Sequence, residues 1–108
     1  PTNELRKWFN HEDEKFPEFK QKYIEELNHN QFTPEFVENV KLKLAREDVL
    51  FLYGAKNQKH NQAVVLKEYV EKKLKIWFKI REMDLKEFCT AKKASSYNNS
   101  RWDFFFIE

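Results

Sequence analysis

Val49-Leu50-Phe51-Leu52-Tyr53-Gly54-Ala55-Lys56-Asn57-Gln58-Lys59-His60-Asn61-Gln62-Ala63-Val64-Val65-Leu66 decides the fold. Val49 to Tyr53 is an unbroken apolar run that stops at the only glycine in the chain, Gly54. A run of this length, fenced by turn signals, reads as a strand buried on both faces. Polar residues Lys56 to Asn61 follow, and a helical period sets in from Ala63. Strand, loop and helix together make half of a βαβ unit. The class expected is therefore α/β, with a small mostly parallel sheet centred on residues 49–55. In open α/β sheets ligands sit where such loops leave the carboxyl ends of the strands. The loop from Tyr53 to Asn61 is the place to expect a site.

On the amino-terminal side the pattern is helical. Thr2 or Asn3 can cap a first helix whose stripe is Leu5, Trp8 and Phe9, and Glu4 suits its positive end. Asn10-His11 ends it. Pro17 is tolerated only in a first turn, so a second helix starts near Asp13 to Phe16. Phe16, Phe19, Tyr23, Ile24 and Leu27 are its buried face. Thr33-Pro34-Glu35 signals a third start, with Thr33 as cap, and Phe36, Val37, Val40 and Leu44 carry that helix to about Arg46. Asn57 and Asn61 are cap candidates for a fourth helix opening near Lys59 or His60. Beyond Leu74, Lys75 to Ile80 alternates as a strand does, yet Leu74, Trp77 and Ile80 also continue the helical stripe and no Gly or Pro intervenes. Asp84 to Phe88 reads as a helical turn and Lys92 to Ser100 as a polar loop. Arg101 to Ile107 reads as a last strand, a hazard for aggregation unless paired.

Composition narrows the classes. A chain of 108 residues, 41% hydrophobic and rich in Phe, supplies one core, so one α/β domain over residues 1–108 is expected. Net charge is only +2, which argues against a strong field for nucleic acid. The charge is uneven, with 9 Lys/Arg against 6 Asp/Glu in residues 71–108. A single cysteine, Cys89, allows no internal disulfide and no zinc site of paired cysteines. Nothing approaches a membrane span or a signal peptide, so the expectation is a cytoplasmic protein without a membrane partner. One glycine cannot build a P-loop or a dinucleotide turn, and no cofactor is expected.

Leu5-Arg6-Lys7-Trp8-Phe9-Asn10-His11 and Leu52-Tyr53-Gly54-Ala55-Lys56, with His60-Asn61-Gln62-Ala63-Val64-Val65-Leu66, resemble the YeaO-like family of uncharacterised bacterial proteins. The resemblance runs from Pro1 to about Leu74. It implies an α/β fold with a parallel sheet and brings no established activity. The family's further first strand and its basic Trp-Pro loop have no counterpart in residues 1–108. Glu12-Asp13 stands where Asp-Pro is usual, and Gly54 where alanine is usual. Residues 75–108 match nothing in the family. The chain is thus expected to be a truncated or altered copy, with the tail strands as candidates to cover the central strand.

Lys56, His60 and Asn61 sit where a helix begins, with free N–H groups and a positive dipole end. That is the composition of a small anion site for phosphate or carboxylate; the plainer reading is a solvated loop with a capping Asn. Arg6 and His11 are expected to converge on the same pocket, with Trp8 as a wall, or else to be surface residues of a helix end. Tyr53 can aim its hydroxyl into the loop as a proton donor, or simply pack its ring. The run Glu12 to Glu14 beside His11 lacks metal-ligand spacing. Cys89 reads as a buried structural thiol. Trp77 among Lys75, Lys79 and Arg81 interleaves cations with an aromatic as single-strand binders do, though an amphipathic element with wet lysines explains it as well. The leading function is binding of a small anionic ligand by Tyr53, Lys56, His60, Asn61, Arg6 and His11. The alternative is a nucleic-acid or protein interaction module using the basic aromatic C-terminal part. No reaction is assigned.

Overall fold

The structure, a computed structural model, describes residues 1–93 and 102–107. In chain order these form α1 (Asn3–Phe9), a 3-10 turn (Asp13–Lys15), α2 (Phe16–His29), α3 (Thr33–Leu44), β1 (Asp48–Tyr53), α4 (Gln62–Leu74), β2 (Ile80–Asp84), α5 (Leu85–Lys93) and β3 (Trp102–Phe106). The three strands make one sheet in the order β2-β1-β3, with both pairings parallel. The expected α/β class with a small parallel sheet and a helical first half is what the chain adopts.

β1 runs down the middle and is buried from Val49 to Tyr53. Its alternate residues serve two layers. Val49, Phe51 and Tyr53 belong to the main core with Phe9, Phe19, Tyr23, Val40, Leu44, Val65 and Val70 of α1 to α4. Leu50 and Leu52 face the other way and pack with Met83 and with Phe88 of α5. On the main-core face a triangle of rings ties α3 to the sheet: Phe36 of α3 lies 6.0 Å from Phe51 and 5.5 Å from Phe105 of β3. The tail strand thus occupies the second edge of β1, with Asp48 opposite Trp102 and Leu52 opposite Phe106.

The helix ends follow local chemistry. Thr2 caps α1, accepting the Leu5 N–H at 3.2 Å. Glu26 of α2 then takes both the N–H and the hydroxyl of Thr2, each at 2.8 Å, and fixes α1 against α2. Asn10 closes α1 in the left-handed region at φ 47°, which asparagine tolerates better than most residues. Pro17 lies in the first turn of α2 as expected.

Five expectations need correction. Thr33 does not cap α3 but lies inside its first turn and is buried; the cap position is Phe32, which has no side-chain cap, and Asn30 accepts the Phe32 N–H at 2.8 Å in the turn that leads into the helix. α3 stops at Leu44 rather than Arg46, because the N–H groups of Arg46 and Glu47 both close on the Lys43 carbonyl at 3.0 Å. The strand expected at Lys75 to Ile80 begins only at Ile80. Lys75 ends α4 at φ 55° and Phe78 sits at φ 69°, so the chain turns twice and cannot extend until it pairs with Val49. Cys89 is exposed, since Phe88 takes the inward position on α5 and the next residue lies about 100° around the helix. α5 also runs on to Lys93, past the short turn expected at Asp84 to Phe88 and into the expected polar loop, of which residues 94–100 lie outside the described residues.

Leu50 is wholly buried against α5 and both neighbouring strands. Leu50→Ala is expected to cost about 2–5 kcal/mol, read as a lower denaturation midpoint with an unchanged slope. A loss below about 1 kcal/mol contradicts a core position there. Deleting residues 100–108 strips one edge of β1 and is expected to give aggregates or a broad, early unfolding transition. A monomeric deletion variant of equal stability contradicts a structural role for β3.

Candidate functional site

All three strands point their carboxyl ends to one pole, and the chain from Tyr53 to Asn61 crosses it. Tyr53 completes β1 and is buried. Its hydroxyl is pushed up from the usual tyrosine value by burial and by the carboxylates of Asp84, Glu82 and Glu87, while a hydrogen bond with Asn61 pulls the other way. Tyr53 therefore keeps its proton. Gly54 has an ordinary φ, and a methyl group there meets nothing within 4 Å, so no turn demands the glycine.

The loop is built on two asparagines. Asn57 accepts the N–H groups of Lys59 and His60 at 2.9 and 3.0 Å. Asn61 is fully buried and caps α4, accepting the Val64 N–H at 3.1 Å and donating to the Asn57 carbonyl at 2.8 Å. Of the two cap candidates it is Asn61 that caps, and α4 opens at Gln62 rather than near His60.

His60 turns toward the other side of the loop. Its Nδ1 meets Asp13 Oδ1 at 2.7 Å, and its ring stacks 4.5 Å from Phe16. Asn57 also donates to Asp13. Hydrogen bonds from His60 and Asn57 hold the Asp13 carboxyl below its usual range. This latch joins the 3-10 turn before α2 to the loop after β1, and it gives one member of the acidic run a definite role. Lys56 is exposed.

Beside the loop lies a cavity of about 400 Å³. Its polar wall is Arg6 and His11 from the end of α1, the chain at Gly54 and Ala55, and Gln62 at the start of α4. Its apolar wall is Phe9, Phe19, Phe106 and Ile107. The tail closes one side: the Ile107 N–H donates to the Leu52 carbonyl at 2.7 Å, and Gln62 Nε2 donates to the Ile107 carbonyl at 3.1 Å. Arg6 donates to Asn3, one turn back.

Arg6 and His11 both line this cavity beside the strand-to-helix loop. Lys56, His60, Asn61 and Tyr53 are not among the residues lining the cavity; three of them frame the loop behind it. Trp8 is not its wall. Trp8 lies on the other side of α1, with Lys15 and Lys22 over its ring at 5.2 and 4.2 Å, and Phe9 takes the wall position. Sequence reading passed over Gln62, Phe19, Phe106 and Ile107. Gln62 carried the one usable signal, a polar residue directly after the cap of a helix that starts beside the loop.

No curated protein matches the chain, and no solved structure matches it. A sequence model of one protein family matches residues 1–70, a span that holds α1, α2, α3, β1 and most of α4, together with every polar group of the cavity wall. That match covers well over half of the chain, and the protein belongs to the family described as Domain of unknown function DUF488.

Proposed function

We propose that the protein binds a small organic anion, with a phosphate or carboxylate head, in the cavity at the carboxyl end of β1. The observation that carries this reading is the make-up of the wall. Among the described residues it holds Arg6, His11 and Gln62 and no Asp or Glu. The first turn of α4 adds the positive end of a 13-residue helix. A guanidinium matches the two oxygens of a carboxylate or phosphate in planar geometry. The phenyl rings on the opposite wall favour a ligand with an apolar body, and the volume falls in the range of small-molecule sites. On this reading Tyr53, His60 and Asn61 hold the loop in place, and Lys56 adds charge from outside the cavity. The proposal is one of binding, with no reaction attached.

The two stretches that resemble the YeaO-like proteins are the ones that meet here. Arg6, Phe9 and His11 come from the first; Gly54, Ala55 and Gln62 come from the second. We propose that the chain sits with the YeaO-like members of its family.

Titration with inorganic phosphate, and with benzoate as a carboxylate on an apolar body, tests the reading by NMR. The amides of Gly54, Ala55 and Gln62 and the ring of His11 are expected to move together and saturate. Arg6→Ala is expected to weaken binding by about tenfold, the scale of one charge-assisted hydrogen bond. Lys56→Ala is expected to weaken it less, and added salt weakens both. If those signals stay still while scattered surface amides shift, the cavity is no anion site.

A further inference from the structure

A second feature lies at the opposite pole, where the strands begin. Between α4 and β2 the chain reads Lys72-Lys73-Leu74-Lys75-Ile76-Trp77-Phe78-Lys79-Ile80-Arg81, with five cations and no acid. Leu74 and Ile76 pack against the core and Ile80 is buried, so the turn is anchored from within. The Val49 N–H donates to the Lys79 carbonyl at 3.0 Å and pins it to the start of β1. The two aromatics point the other way. Trp77 is 51% exposed and Phe78 is 94% exposed. Phe78 also holds φ 69°, a conformation that bulky residues rarely adopt.

A phenyl ring held in water by an anchored turn makes no contribution to the core. Its surroundings state what it suits. Lys72, Lys73, Lys75 and Lys79 are exposed around it, and Arg81 follows. The acids nearest in sequence are not at the tip: Glu71 is buried, and Glu82 pairs with Lys67 at 3.0 Å. Glu47 and Asp48 share this pole but are half-buried at the start of β1.

We propose that the Trp77–Phe78 turn is a peripheral docking tip for an anionic lipid surface. Aromatic side chains settle at the level of the headgroups, and flanking lysines are drawn by the negative potential of anionic lipid. The shape selects this partner over a single-stranded nucleic acid. A strand is tracked by a groove lined with cations and stacking rings. Phe78, almost fully exposed, stands on a convex tip, which a flat surface accepts. That no described helix is long and apolar enough to cross a membrane has no bearing on attachment of this kind. The tip and the cavity lie at opposite poles, so a docked molecule keeps its cavity turned toward water.

Co-sedimentation of the intact protein with vesicles of phosphatidylcholine containing about 30% phosphatidylserine tests the proposal. Binding is expected to these vesicles and not to phosphatidylcholine alone, and to fall between roughly 0.05 and 0.3 M salt. Phe78→Ala is expected to weaken binding by about tenfold with an unchanged denaturation midpoint, since the ring packs on nothing. Lys75→Gln with Lys79→Gln is expected to weaken it at least as much and to flatten its salt dependence. Arg6→Ala, at the other pole, is expected to leave vesicle binding unchanged. Equal binding to neutral vesicles, no binding to either kind, or full binding by Phe78→Ala overturns the proposal. So does retention on single-stranded oligothymidylate without vesicle binding, or self-association that Phe78→Ala abolishes.

Discussion

A strand buried on both faces must hydrogen-bond on both edges, because a backbone donor or acceptor without a partner in a dry interior costs more than most single contacts return. β1 is that strand, and the rest of the molecule is arranged around the requirement. α4 carries the chain back so that Ile80 to Asp84 can line up beside Val49 to Tyr53. The tail brings Trp102 to Phe106 to the other side. α5 supplies Phe88 to the face that the amino-terminal helices leave open. The main core is completed by residues of α1, α2, α3 and α4 on the opposite face.

The cavity is a by-product of the same arrangement. Parallel strands end at one pole, so the end of β1, the start of α4 and the last residues of β3 are brought together there without any contact dedicated to the purpose. α1 is pulled in by the stack of Phe9 on Phe19, with ring centres 4.2 Å apart. Arg6 and His11 arrive with it. The Asp13–His60 latch then sets the loop from the side, using a surface pair that adds little stability on its own.

Local chemistry made much of this legible in sequence. The run from Val49 to Tyr53, the proline of α2, the Thr2 cap and the Phe-rich last strand each declare themselves within a few residues. Asn61 as a cap needed only its own neighbourhood. What stayed hidden depended on distant partners. His60 sits in an anion-site composition, yet its ring nitrogen meets a carboxylate 47 positions away in the chain. Phe106 and Ile107 belong to the wall because β3 pairs with β1, and no periodicity announces that pairing. The start of β2 is hidden for another reason. Lys75 and Phe78 adopt positive φ without glycine or asparagine to signal it, and an alternating pattern then passed for a strand. Cys89 is exposed because its neighbour Phe88, one helical step away, holds the buried position.

The sheet order also fixes a timetable. Trp102 follows its partner Asp48 by 54 positions, and ribosomes add roughly 5–20 residues per second. For on the order of 3–10 s of synthesis, then, β1 has been made while the strand for its second edge has not. The helical first half can collapse around one face of that segment at once, but its other edge waits for the tail. During synthesis the protein passes through an interval in which factors that shield nascent apolar strands have a single well-defined target, Val49 to Tyr53.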